Sequence, residues 1–550
     1  MKTGSEPGAT PAVAGRLKTW LGTSPGIWLG FVLMCVGMFM AILDIQVVAT
    51  SLPTIQQALQ ISPEAMSWIQ TAYLIAEIIA IPLTGLLTRV FSLRWLFTGA
   101  VSLFTLASIG CAVSGSFAVL LVFRAIQGFS GGVLIPAVFS AVFLLFPQRL
   151  HAVATTIAGV VAVLAPTVGP VVGGFITDTW SWPWLFLINV VPGLICASVT
   201  SRLLPGHPTD LSELSKIDLR AMLLLAVALA SLEIGLKEAP QRGWSSPTCI
   251  ALLSLSASSL VLLIQRCLLA VHPILRLVSL QRRCFAAGCA LSFCLGVGLF
   301  GSVYLMPVFL AFVRHHDAFE IGTIMLVTGV AQLIAAPCVM FLESRVDARV
   351  LTAMGFALFA AGLAMSAFQP RTADFAEMFG PQMVRGIGIM LCLLPPTRIA
   401  LGDLAAAEVA DASGLFNLMR NLGGAIGIAL IDTILYGRAG TYAADFRDRL
   451  LAGDVSAAKA IGLQPELLLH RPLGTTDAAA IAYVQPMVEQ ASLALCVNEA
   501  WMLLAGISVI GLVLVMFTRD HAVQSESRAF TLERRHPAAG GFDQLGPRSR

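Results

Sequence analysis

Phe123-Arg124-Ala125-Ile126-Gln127-Gly128-Phe129-Ser130-Gly131-Gly132 sets a permanent cation inside an apolar and small-residue run that continues past Pro136. The run is long enough to cross a bilayer. An arginine at the centre of a membrane helix costs roughly 2.5–3.5 kcal/mol even on lenient insertion scales, so such residues face a protein interior or a wet cavity. Arg124 therefore predicts an acidic partner and a bundle of helices to shelter both.

Composition agrees. Of 550 residues, 57% are hydrophobic and only 12% charged, and the mean hydropathy is +0.84. Soluble domains carry about 25% charged residues, so the chain reads as a polytopic membrane protein. The net charge of +3 is small and its basic residues are scattered, which argues against a nucleic-acid surface. The eleven cysteines form no close Cys-x-x-Cys pair and read as packing residues, with no metal site expected.

Apolar runs near 20 residues long mark spans. They fall at 28–51, 66–88, 95–114, 117–144, 152–176, 184–204, 218–237, 247–265, 285–311, 321–342, 350–368, 377–400, 412–436 and 497–518. The fold class is thus all-α, with about 14 transmembrane helices. Lys and Arg cluster in alternate loops, which by the positive-inside rule puts both termini in the cytoplasm. Lys237, Arg242, Arg314 and Arg371 are exceptions assigned to short outer loops, and the tryptophans, Trp501 among them, are assigned as interfacial anchors at span ends.

Setting aside the seventh and eighth spans leaves two sets of six. Arg124 and Arg385 each occupy the fourth helix of a set, each followed about three turns later by a proline, Pro136 or Pro395. The expected units are an N-terminal tail (1–27), a six-helix bundle (28–204) and two inserted helices (205–266). A linker (267–284), a second six-helix bundle (285–518) and a disordered tail (519–550) follow. The stretch 437–497 is expected to be a long outer loop holding a short amphipathic helix near Asp445 to Leu451.

Counted from the same side at 1.5 Å per residue, Arg124, Asp44 and Glu77 lie at depths of ~9, ~10 and ~15 Å. A buried carboxylate beside an arginine is a candidate proton carrier, and the alternative is a static ion pair holding helices in register. Pro166, Gly169, Pro170, Gly173 and Gly174 predict a bent helix packed closely on its neighbours, as a hinge or as plain tight packing. Gln46, Arg385, Asn417 and Arg420 are candidate polar residues of a cavity, with Arg420 also readable as a snorkelling residue near the inner face. Glu233 reads as local structure. Gly128-Phe129-Ser130-Gly131-Gly132 spells a nucleophile elbow, but it lies inside a helix with no histidine deep in any span, so no enzyme activity is expected. No Gly-x-x-x-x-Gly-Lys-Ser/Thr run points to ATP.

Together these segments resemble the major facilitator superfamily, and within it the fourteen-span drug:proton antiporters of the EmrB/QacA type. The resemblance rests on Leu43-Asp44 through Leu52-Pro53, on Arg124-x-x-Gln127-Gly128, and on Gly169-Pro170-x-x-Gly173-Gly174 followed by Trp184 to Asn189 and Pro192. His272-Pro273-Ile274-Leu275 adds to it. The loop after the second helix departs from the usual Gly-x-Leu-Ala-Asp-Arg-x-Gly-Arg. Here it reads Gly85-Leu86-Leu87-Thr88-Arg89-Val90-Phe91-Ser92-Leu93-Arg94, with Arg89 in place of the acid.

The resemblance implies export of lipophilic or amphipathic small molecules across a bacterial inner membrane in exchange for protons, without a cofactor. Asp44, Glu77 and Arg124 would couple protons, while Gln127, Gly128 and the fifth-helix glycines and prolines would gate. A periplasmic adaptor and an outer-membrane channel are implied as partners. Import of a metabolite by symport or facilitated transport, or service only as a permease subunit of such a complex, stays open from the residues alone.

Overall fold

A computed structural model describes residues 24–206, 218–270, 277–343, 345–402, 404, 406–463 and 478–518. The tails expected before residue 24 and after 518 lie outside the described residues. So do His272 to Leu275 of the linker, residues 464–477, and the side chain of Arg89. Among the described residues the chain is helical and contains no strand. In lipid each backbone N–H and C=O needs an internal partner, and an uninterrupted helix supplies one to every residue.

The first half comprises α1 (Pro25–Ala58), α2 (Pro63–Met66), α3 (Trp68–Ala80), α4 (Leu83–Ala112), α5 (Phe117–Leu145), α6 (Gln148–Thr179), α7 (Trp184–Leu187) and α8 (Val190–Leu203). The inserted pair is α9 (Leu219–Arg242) and α10 (Pro247–Leu269). The second half comprises α11 (Arg283–Phe312), α12 (Ala318–Glu343), α13 (Ala348–Ser366), α14 (Phe375–Leu401), α15 (Ala406–Leu451), α16 (Val455–Ile461) and α17 (Ala478–Leu514). Thirteen stretches are long and apolar enough to cross a membrane. The fourteenth begins as α3, too short alone because the helix breaks at Ile81-Pro82, where proline offers no N–H. The start of α4 completes it. At Ser92, where φ is 64° and ψ 156°, the helical path breaks and the third span begins.

The repeat seen in sequence is a repeat of packing. In each half the first helix packs on the fifth (α1 on α6, α11 on α15) and the second on the fourth (α3 on α5, α12 on α14). The third packs on the fourth and sixth (α4 on α5 and α8, α13 on α14 and α17). The halves meet along two seams related by the same pseudo-symmetry, α6 against α12 and α3 against α15. The inserted helix α9 packs on both α15 and α3, so it covers the second seam.

We call the side where α1 begins proximal and the other distal. On the distal side both seams are closed by specific contacts. Asp178 accepts the Phe319 N–H at 2.7 Å at the distal end of the α6–α12 seam, and near its middle Thr167 donates to the Gly329 carbonyl at 3.1 Å. A methyl group on Gly174 would run into the Ala318 carbonyl, so only glycine lets α6 and α12 approach this closely. Across the other seam Ser67 donates to Asp432 at 3.0 Å and Tyr436 to the Pro63 carbonyl at 3.0 Å.

The stretch expected to be a long loop is largely helical. The helix α15 runs on past Tyr436 for 46 residues in all, ~69 Å at 1.5 Å per residue and well beyond a ~30 Å hydrocarbon core. Phe446 of its extension packs with Ala457 and Ile461 of α16 and with Val488 and Ala491 of α17. The polar composition of 437–463 and 478–497 is therefore that of a helical projection with its own small core.

Candidate functional site

Five elements converge on one carboxylate. Asp44 lies on the buried face of α1, and Arg124, fully buried on α5, pairs with it through Nη1 and Oδ2. The same Nη1 donates to Gln127 Oε1 at 2.7 Å, one turn along α5, and Nε donates to the Ile69 carbonyl of α3 at 3.1 Å. Gln127 Nε2 donates to Asp44 Oδ1 at 2.9 Å and to Ser108 Oγ of α4 at 2.9 Å. Asn189, at the α7–α8 junction, donates to the same Oδ1 at 3.1 Å. The guanidinium stacks over the Tyr73 ring at 4.5 Å and lies 5.8 Å from Phe186. Three side chains thus donate to the two oxygens of Asp44.

Buried ion pairs are retained at a desolvation cost of several kcal/mol per ion, offset only when geometry and extra hydrogen bonds are good. Here they are. Arg124 Nη2 alone is buried without a partner. The chemistry available is an exchange: either the guanidinium or a proton can neutralise Asp44, and protonation releases Arg124 from its carboxylate.

Glu77 does not share in this pair as depth counting suggested. One turn along α3 from Tyr73, it is acted on first by Arg420 of α15 and sits within hydrogen-bonding reach of Asn421, with Arg124 a weaker influence. Its Oε2 has no partner. Rise per residue gives depth and not the direction a side chain faces, and the face of α3 that carries Glu77 looks across the seam. Glu77 therefore stands apart from the Asp44–Arg124 pair, with half-buried Arg420 of α15 as the nearer positive charge.

The remaining candidates divide. Arg385 occupies the place of Arg124 in the second half, but it donates to Thr328 Oγ1 at 2.9 Å and stacks on Trp501 at 5.2 Å. Among the described residues no carboxylate acts on it. Trp501 is buried mid-helix, a correction to its expected place as an interfacial anchor. Asn417 bonds the Ser413 carbonyl of its own helix at 2.9 Å and is local structure. Gln46 is buried with its Cβ against Gly169, and Gly173 faces Val47 and Thr50, so both glycines hold α6 close to α1. Pro166 and Pro170 lie within a continuous α6, and Pro170 faces Gly322 of α12. A methyl group at Gly128 would meet the Tyr73 carbonyl.

Sequence reasoning missed Asn189, Ser108 and Tyr73, although Asn189 ends a stretch whose resemblance had been noted. It also missed Asp432 and misplaced Lys237. The expected outer-loop Lys237 is buried within α9, which continues to Arg242, and its ammonium pairs with Asp432 of α15.

Two six-helix repeats meeting at paired seams, with a buried acid–arginine pair inside one of them, define a secondary transporter. The chain belongs to the Major Facilitator Superfamily, whose sequence pattern matches residues 34–428. It is 37% identical over 417 residues to the colistin resistance protein EmrB of Acinetobacter baumannii, covering 76% of this chain and 81% of that one. With the multidrug export protein EmrB of Escherichia coli K12 it shares 30% identity over 484 residues, 88% of this chain and 93% of that one. The fold is similar to that of a bacterial homolog of the human lysosomal transporter Spinster. There the TM-score is 0.55 at 13% identity, with 90% of this chain and 98% of that chain covered.

Proposed function

We propose that the chain is a proton-coupled antiporter that exports lipophilic or amphipathic small molecules across a bacterial inner membrane by alternating access. The proximal side and both termini are cytoplasmic in this reading, and the proton gradient drives the cycle without a cofactor. The observation that carries it is the fully buried Asp44–Arg124 pair, whose carboxylate on α1 is held by two donors from α5 and one from the α7–α8 junction. With the distal seams closed and Asp44 paired, the arrangement corresponds to a state that has lost its proton inward and can take up cargo. A proton arriving from outside would neutralise Asp44, free Arg124 and complete the exchange. Coupling requires that proton and cargo prefer different states.

Similar chains are named for multidrug export and resistance, and the mostly apolar interior of this chain suits poorly hydrated cargo. A periplasmic adaptor and an outer-membrane channel are proposed partners, with the helical projection of α15–α17 as the dock. The decisive experiment is Asp44→Asn in inside-out vesicles with proton-driven uptake of a lipophilic dye as readout. Uptake is expected to fall to the level set by an uncoupler, and undiminished uptake would refute the role given to Asp44.

A further inference from the structure

The inserted pair α9–α10 is the part of the chain to which a two-by-six architecture gives no task. Its first helix nevertheless delivers a charge to the seam it covers. Lys237 is buried in α9 and pairs with Asp432 Oδ2. That same oxygen accepts from Ser67 Oγ at 3.0 Å, and Oδ1 accepts from the Tyr304 hydroxyl of α11 at 2.9 Å. All four residues are buried. They come from the first half (Ser67, between α2 and α3), the insertion (Lys237) and the second half (Tyr304 and Asp432). One turn away on α9 stands buried Glu233, on which the Lys237 charge acts, and one turn away on α15 stands Tyr436, bonded to Pro63. The opposite seam, α6 against α12, is closed on the described residues by small residues, backbone contacts and Asp178, with no ion pair across it.

We propose that Lys237 and Asp432 form a latch through which the inserted helix holds the distal side shut at the α3–α15 seam. Lys237 fixes the Asp432 carboxylate in the orientation that accepts Ser67. Opening then breaks the Ser67–Asp432 bond while the ion pair persists, so α9 travels with the second half. The order follows from the partners. Parting Lys237 from Asp432 would leave the buried Asp432 carboxylate without its counter-charge, whereas a serine hydroxyl exchanges one acceptor for water or its own helix backbone at little cost. Lys237 is thus a positioning residue for the gate and makes the insertion a working part of it.

The proposal rests on the alternating-access reading, and its test reads distal access without needing transported cargo. Met66, buried beside Ser67 at the end of α2, serves as the reporter position. The rate at which a water-soluble maleimide modifies Met66→Cys is measured in detergent-solubilised protein, above the labelling of the native cysteines. Adding Lys237→Met and Asp432→Asn together removes both charges and leaves no lone buried ion. This pair of changes is expected to raise the rate about tenfold, the shift of a minor open state by one order of magnitude. A rate within about twofold of the parent, too small to count as such a shift, overturns the latch.

If the double variant does not fold, the native sequence answers by hydrogen–deuterium exchange in proteoliposomes under an imposed proton gradient. Deprotection of 62–72 with 232–238 still protected supports the latch. Deprotection of 232–238, alone or together with 62–72, or of neither, overturns it.

Discussion

Replacing Ser92 by glycine is expected to stabilise the protein. Ser92 sits at φ 64°, ψ 156°, where an L side chain crowds its own backbone, and such a residue costs of order 1–3 kcal/mol. Its hydroxyl is also buried without a hydrogen-bond partner, a further ~1–3 kcal/mol. Against these stands the greater freedom of glycine in the unfolded chain, about 0.5–1 kcal/mol. The difference leaves Ser92→Gly roughly 1–5 kcal/mol ahead of the parent. Ser92→Ala separates the contributions, because it removes the hydroxyl and keeps the strained Cβ. Glycine should then exceed alanine by ~0.5–2 kcal/mol.

The assay is the thermal unfolding midpoint of purified protein in one detergent, at one protein concentration. The expected order is parent, then alanine, then glycine. Large chains shift by about 2 °C or less per kcal/mol, so the total is a few degrees. A glycine variant no more stable than the alanine variant would refute the strain argument. Ser92 also stands where the superfamily loop pattern places its second glycine, so the geometry explains why that pattern calls for glycine and what serine costs there.

Two further outcomes are expected. Arg124→Lys keeps the charge but loses the Nε bond to Ile69 and a simultaneous hold on Asp44 and Gln127. At ~1.5–3 kcal/mol per charged hydrogen bond, dye uptake in vesicles should drop ~10–100-fold, and a loss under about threefold would contradict it. At the distal end, Asp374 accepts from Arg314 at 2.8 Å and lies 3.2 Å from His316. The Arg314 hydrogen bond holds its carboxyl below the usual range. A depressed folded value means stability that is present above the ordinary carboxylate pKa and lost as pH falls through the lower one. Melting of the parent relative to Asp374→Asn should therefore be constant from pH 7 to about 4 and converge below it. Because the pair is partly exposed, added salt should shrink the gap.

What could be read from sequence was whatever depends on composition along the helix axis. Arg124, Asp44 and Gln127 stood out because a charge or amide in an apolar run has few explanations. The order of spans followed from hydropathy, and the repeat from two arginines in matching helices. What could not be read depends on which way a side chain faces. Glu77 and Arg124 are close in depth, yet Glu77 turns toward Arg420. Lys237 and Asp432 lie near span ends, where a charge has an easy solvent explanation, so their pairing needed the packing of α9 across the seam. The 437–497 stretch is polar enough to read as a loop, and only the contacts of Phe446 with α16 and α17 show why it stays helical.

The two buried arginines of the fourth helices show why the halves do different work. Arg124 has a carboxylate within reach on the first helix of its half. Among the described residues Arg385 has none, and α11, the first helix of its own half, contains no Asp or Glu at any position. A proton can therefore change the charge balance around Arg124 but not around Arg385. Of the other buried acids, Glu233 lies on the inserted helix, while Glu77 and Asp432 stand at the α3–α15 seam, Asp432 accepting from Ser67 across it and Glu77 lying near Arg420 and Asn421. The α6–α12 seam is made mainly of glycine, proline and backbone contacts, with Asp178 at its distal end, and among the described residues no ion pair crosses it. If protons drive this protein, their effect enters through Asp44 and passes to the seam that carries the buried acids, while the small-residue seam follows. That division accounts for an inserted helix with a buried lysine lying over the α3–α15 seam and not over its pseudo-symmetric counterpart.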